Sequence, residues 1–106
     1  MVELSKNDEK IIKLIKDYKN ILKEYKQLER EKYDLRFDIN TMTIRLLDKY
    51  SIRLDDKYED TFVVTYVGNN GLLKLIDLDD VKFIEELFNA RFSELKSGTY
   101  YFRMKF

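Results

Sequence analysis

Apolar side chains recur at alternating steps of three and four from the N-terminus onward: Leu4, Ile11, Leu14, Tyr18, Ile21, Tyr25, Leu28, Leu35, Ile39, Met42 and Leu46, with Asn7 and Lys32 the polar members of the series. A repeat of about 3.5 residues marks an α-helix that buries a narrow stripe against another helix. No glycine or proline occurs before Gly68, so the pattern predicts one unbroken helix over 8–49. Such a helix would be roughly 60 Å long. Ser5 or Asn7 can cap its start, and Asp8 and Glu9 suit the first turn of a helix dipole. The dimer seam so defined is Ile11, Leu14, Tyr18, Ile21, Tyr25, Leu28, Lys32, Leu35, Ile39 and Met42. The rest of the chain holds no helix of matching length, so the expected partner is a second copy in a coiled-coil homodimer, or another coiled-coil chain. Lys32 inside the seam would set register at some cost in stability. Ile15 and Leu22 flank the seam and widen the stripe in its first half, which suits a further packing surface or a partner groove at 11–25.

After residue 50 the period changes. Residues 51–55 alternate and read as a short strand, and 61–67 (TFVVTYV) as a strong one. The Gly-Asn-Asn-Gly stretch at 68–71 reads as a hairpin turn, with 72–78 as the returning arm. Asp79 or Asp80 is placed to cap a helix over 81–96, with Val81, Ile84, Leu87, Phe88, Phe92 and Leu95 on one face and Gly98 ending it. A last strand covers 99–106, with Tyr100, Phe102, Met104 and Phe106 to one side and Tyr101, Arg103 and Lys105 to the other. The predicted class is therefore α+β: a long coiled-coil helix (1–50), then a small head (51–106) with an antiparallel sheet and one helix, in the order α-β-β-β-α-β. A head that small buries little surface alone, so the base of the long helix is expected to complete its core.

Composition narrows the possibilities. The 106 residues are 38% charged and 44% hydrophobic with a net charge of zero. That balance is too apolar for disorder, and it gives no global attraction to nucleic acid or membrane. Cysteine is absent, which removes disulfides and thiolate metal sites, and histidine is absent, which removes the commonest general base. The chain shows no signal peptide and no apolar run that would span a membrane, so an intracellular protein is expected. Lysine, aspartate, isoleucine, asparagine and tyrosine abound while alanine occurs only at Ala90. That bias points to an AT-rich gene.

Charge on the long helix is sorted by face. Lys13, Lys16, Lys19, Lys23, Lys26 and Arg30 fall on outer heptad positions, and most acids flank the seam. Such a stripe could lie along a phosphate backbone or an acidic groove, although no base-stacking aromatics accompany it. Asp55, Asp56, Glu59 and Asp60 make the head's loops anionic, a form that could mimic nucleic acid before a basic groove. Asp77, Asp79 and Asp80 are best read as helix-capping groups, since no calcium-loop pattern surrounds them. Tyr33, Tyr58 and Tyr101 are expected on the surface, where tyrosine favours interfaces. The candidate partner-binding residues are Lys13, Lys16, Lys19, Lys23, Lys26, Arg30, Tyr33, Asp55, Asp56 and Tyr58.

No nucleophile–base pair, phosphate-binding loop or dinucleotide fingerprint is present. The expectation is a non-catalytic protein–protein interaction module without metal or cofactor, of the kind a phage or mobile element uses to inhibit a host machine. In layout, a coiled coil followed by a small α+β head resembles the linker subunits of kinetochores, which implies a head that docks onto an adaptor. A nucleic-acid-binding protein using the lysine stripe is the remaining expectation.

Overall fold

The computed structural model describes residues 4–24, 29–41, 45–67 and 77–106. The N-terminal helix α1 (Lys6–Glu24) starts from a reciprocal cap. Ser5 Oγ accepts the Asp8 N–H at 3.1 Å, and Asp8 Oδ2 accepts the Ser5 N–H at 3.0 Å. This satisfies donors that the first helical turn would otherwise leave unpaired. Helix resumes at α2 (Glu29–Thr41), which packs against α1. Strand β1 (Arg45–Leu46) follows. The predicted continuous helix over 8–49 is thus corrected to two helices and the start of a sheet. The physical reason lies in the width of the apolar face: α1 buries Ile12 and Ile15 as well as Ile11 and Tyr18. A stripe that broad suits packing against a sheet more than a coiled-coil seam.

Strands β2 (Tyr50–Leu54), β3 (Thr61–Tyr66), β4 (Ala90–Lys96) and β5 (Thr99–Met104) complete an antiparallel sheet that, among the described residues, has five strands in the order β1-β2-β3-β5-β4. The fold class is α+β. Register places Leu54 beside Phe62, Phe62 beside Phe102 and Phe102 beside Phe92, one apolar row across the sheet. The Phe62 ring stacks on Phe102 at 5.4 Å and meets Phe88 edge-on at 5.1 Å. Helix residues Ile11, Ile15, Tyr18, Ile39 and Ile84 join the strand residues in one core, so the N-terminal helices do complete it. On the opposite face Val63 is also wholly buried, flanked in register by Arg53 and Tyr101.

Helix α3 (Leu78–Phe88) is shorter than the 81–96 predicted. It stops at Asn89, whose φ of 48° and ψ of 60° put it in the left-handed region. Asparagine tolerates that region better than most residues. The predicted capping role of Asp79 or Asp80 is corrected as well: Asp77 holds the N-cap position and makes no side-chain capping bond. The rest of the predicted helix is β4, joined to β5 by a turn at Ser97 and Gly98, both with positive φ. The hairpin turn predicted at 68–71 lies outside the described residues, as does the start of its returning arm; Leu78 of that arm opens α3.

Lys19 ties α1 to the end of α3. Its ammonium donates to the carbonyls of Phe88 (3.4 Å) and Asn89 (2.9 Å), where a helix presents its negative end. Burial pulls this ammonium below the ordinary lysine value. At the other end of α3, the Tyr50 hydroxyl donates to Asp80. Burial, reinforced by the Asp80 hydrogen bond, raises the Tyr50 phenol above its ordinary value, and burial raises the Tyr18 phenol too.

Raised phenol values carry a stability signature. Above the ordinary tyrosine value of 10.0 the unfolded chain has lost these protons while the folded chain keeps them. Their contribution is therefore complete below pH 10.0 and declines as pH climbs toward the folded values. Urea midpoints taken at pH 8, 10 and 11 are expected to fall over the last step, and to fall less in a Tyr50→Phe variant. An equal decline in the variant would remove Tyr50 as a cause.

Candidate functional site

Residues of α2 sort into rows along the helix, because positions four apart share a face. The row Lys32, Arg36 and Asn40 turns toward the connection between β2 and β3. Lys32 Nζ lies 2.9 Å from both Glu29 Oε1 and Glu59 Oε1. Arg36 donates to the Tyr18 hydroxyl at 2.6 Å and to the Asp55 carbonyl at 2.7 Å. Tyr18 in turn donates to the Glu59 carbonyl at 2.8 Å, and Asn40 Oδ1 accepts the Leu54 N–H at 2.7 Å. The carboxylates of Glu29 and Glu59 raise the Lys32 value, which keeps it charged. This network clamps α2 to the loop and fixes what the next rows display.

The next row is Tyr33 and Phe37, one turn apart and 68% and 59% exposed. Beside it stand Asp34 and Asp38, both exposed. A shallow groove runs between α2 and the loop, lined by Tyr33, Arg36, Phe37, Asn40, Thr41 and Asp56. Exposed rings of this size in a well-packed domain are the unusual observation, since single exposed aliphatics are normal on any surface.

The predicted site residues are distributed unevenly. Tyr33 and Asp56 meet at this groove. Asp55 is engaged in the loop itself: its Oδ2 accepts the N–H groups of Lys57 (3.0 Å) and Tyr58 (2.8 Å), and its carbonyl accepts Arg36. Tyr58 is 56% exposed and faces a second depression shared with Tyr101, on the far side of the sheet. Lys13, Lys16 and Lys23 are exposed on α1 and Arg30 on α2, whereas Lys19 is buried and so leaves the predicted cationic stripe. Lys26 lies outside the described residues, as do Tyr25, Leu28 and Met42 of the predicted seam. Of the other seam positions, Ile11, Tyr18 and Ile39 are wholly buried within one chain. Leu14, Ile21, Leu35 and Lys32 are half-buried.

No family model, curated protein or solved structure matches the chain. Sequence reasoning missed Phe37 and Arg36. Phe37 had a usable signal, its spacing of one helical turn from Tyr33. Arg36 had none, because its partners Tyr18 and Asp55 are brought to it by folding. Among the described residues no helix is long and apolar enough to cross a membrane.

Proposed function

We propose that the chain is a non-catalytic protein–protein interaction module whose docking surface is the outer face of α2. The observation that carries this reading is the exposed Tyr33–Phe37 pair beside a groove, on a helix pinned by the Arg36 and Lys32 network. Rigid aromatic anchors bind at low entropic cost, and aromatic residues dominate interface energetics. The absence of cysteine and histidine fits a binding role more readily than a catalytic one. Within this class we assign the role of an inhibitor made by a phage or mobile element, in keeping with the AT-rich coding bias. Self-association, where it occurs, is assigned to exposed surface and not to Ile11, Tyr18 and Ile39, which are already covered.

A photoreactive phenylalanine analogue placed at position 37, and separately at Lys13 on the outside of α1, tests the assignment in the native host. A discrete protein adduct is expected from position 37 and not from position 13. The double variant Tyr33→Ala, Phe37→Ala should bind that protein at least ~10-fold more weakly. Its own stability should move by no more than about 0.5 kcal/mol, as for other surface changes. Equal adducts from both positions would overturn the reading.

A further inference from the structure

The charges around the aromatic row specify the partner. We infer that the α2 face receives a basic, amphipathic segment of another protein, with apolar side chains seated against Tyr33 and Phe37 and lysine or arginine side chains meeting Asp34, Asp38 and Asp56. This inference rests on reading that face as the docking surface.

Two of the three cations of α2 are turned inward: the Lys32 side chain is 13% exposed and held by two carboxylates, and Arg36 is engaged by Tyr18 and Asp55, while the third, Arg30, is exposed one turn before Asp34. In the neighbouring loop Glu59 is paired with Lys32, and Asp60 with Arg103 at 2.9 Å. Asp34, Asp38 and Asp56 remain exposed, and none of the three forms an ion pair among the described residues. The fold thus turns two α2 cations inward and leaves three exposed aspartates against one exposed arginine beside the two apolar rings, a net negative balance. A chain with zero net charge presents an acidic face here.

Other occupants are disfavoured by the same sign. A second copy packed α2 to α2 would set the Asp34–Asp38 row against its own image, and like charges across an interface are repulsive. Nucleic acid and an anionic membrane carry the wrong charge. A basic segment with apolar residues one helical turn apart matches both rows at once.

The test titrates the full-length chain, labelled with nitrogen-15, with a synthetic helical peptide of leucine at i, i+3, i+4 and i+7 and lysine elsewhere. A control peptide replaces every lysine by glutamate. The lysine peptide is expected to shift the amides of Tyr33, Asp34, Phe37 and Asp38, and to bind more tightly at low salt. Phe37→Ala, and separately Asp34→Asn with Asp38→Asn, should each weaken it about 10-fold. Both variants alter exposed residues, so an unchanged amide spectrum elsewhere confirms that they fold. Equal binding of the glutamate peptide, shifts confined to another face, indifference to the variants, or dimerisation through α2 in light scattering would each overturn the inference. A position-37 adduct with a protein whose crosslinked segment is not basic would leave the docking face standing and remove only its basic partner.

Discussion

Truncating Phe62 to alanine is expected to destabilise the fold by about 3–5 kcal/mol, the range seen when a buried phenylalanine leaves a cavity. Phe62 is wholly buried, stacks on Phe102 and meets Phe88 edge-on, so its ring joins β3, β5 and α3. Neighbouring rings held by three elements cannot all move to fill the gap. A domain of this size is stable by roughly 5–15 kcal/mol, so the loss takes a large share of the total. Urea denaturation of wild type and variant gives the difference directly. A loss under about 1 kcal/mol would mean that the sheet and α3 do not share this core.

The second large effect is expected at Asp8. This aspartate is 2% exposed and serves two places at once. Oδ2 completes the α1 cap with Ser5, and Oδ1 accepts the Leu47 N–H at 2.8 Å in the turn between β1 and β2. Leu47 and Asp48 both have a φ of 56°, an unfavourable region for residues with a Cβ, and the Asp8 bond helps hold that turn in place. Asp8→Ala removes the Asp8 half of the reciprocal cap, leaving Ser5 Oγ its bond to the backbone N–H of residue 8, and orphans the Leu47 amide, which together should cost about 2–4 kcal/mol. Asp8→Asn keeps an acceptor for Leu47 and should cost about half as much. Hydrogen exchange at the Leu47 amide should accelerate in the alanine variant. On a free-standing helix the same change would forfeit only the cap, roughly 1 kcal/mol. A loss of that size would argue that α1 does not dock on the sheet.

Legibility in the sequence followed locality. The cap at Ser5 was readable because its partner is Asp8, three residues on. Strands β2 and β5 were readable from alternation and β3 from its β-branched and aromatic run; the inward set Tyr100, Phe102 and Met104 came out as expected, whereas Phe106, assigned to the same side, lies beyond β5 and is 62% exposed. Strand β4 was hidden by its register shift between Phe92 and Glu94. In a regular strand Phe92 and Leu95 would point to opposite faces. Here Phe92 pairs with Phe102 and Leu95 with Tyr100, both core residues, so a spacing of three that mimics a helix falls on one side of the sheet. The packing of α2 back on α1 had no glycine or proline to announce it. A heptad repeat runs through both helices because each buries one face, whether that face meets a second chain or the same chain folded upon itself.

Of the candidate site, Tyr33 and Asp56 were legible as surface groups, and their meeting at one groove was not. The burial of Lys19 was equally invisible, since its carbonyl acceptors lie 69 and 70 residues away in sequence. Composition, periodicity and caps therefore determined the α+β class, the helical N-terminal half and three of the strands, because each depends on neighbours within a turn or a strand. The tertiary structure alone decided where the apolar stripe is spent and which charges are consumed. It also decided that an aromatic and acidic row is left facing water. Those outcomes depend on groups far apart in sequence, and pairing free energies between them exist only once the chain has brought them together.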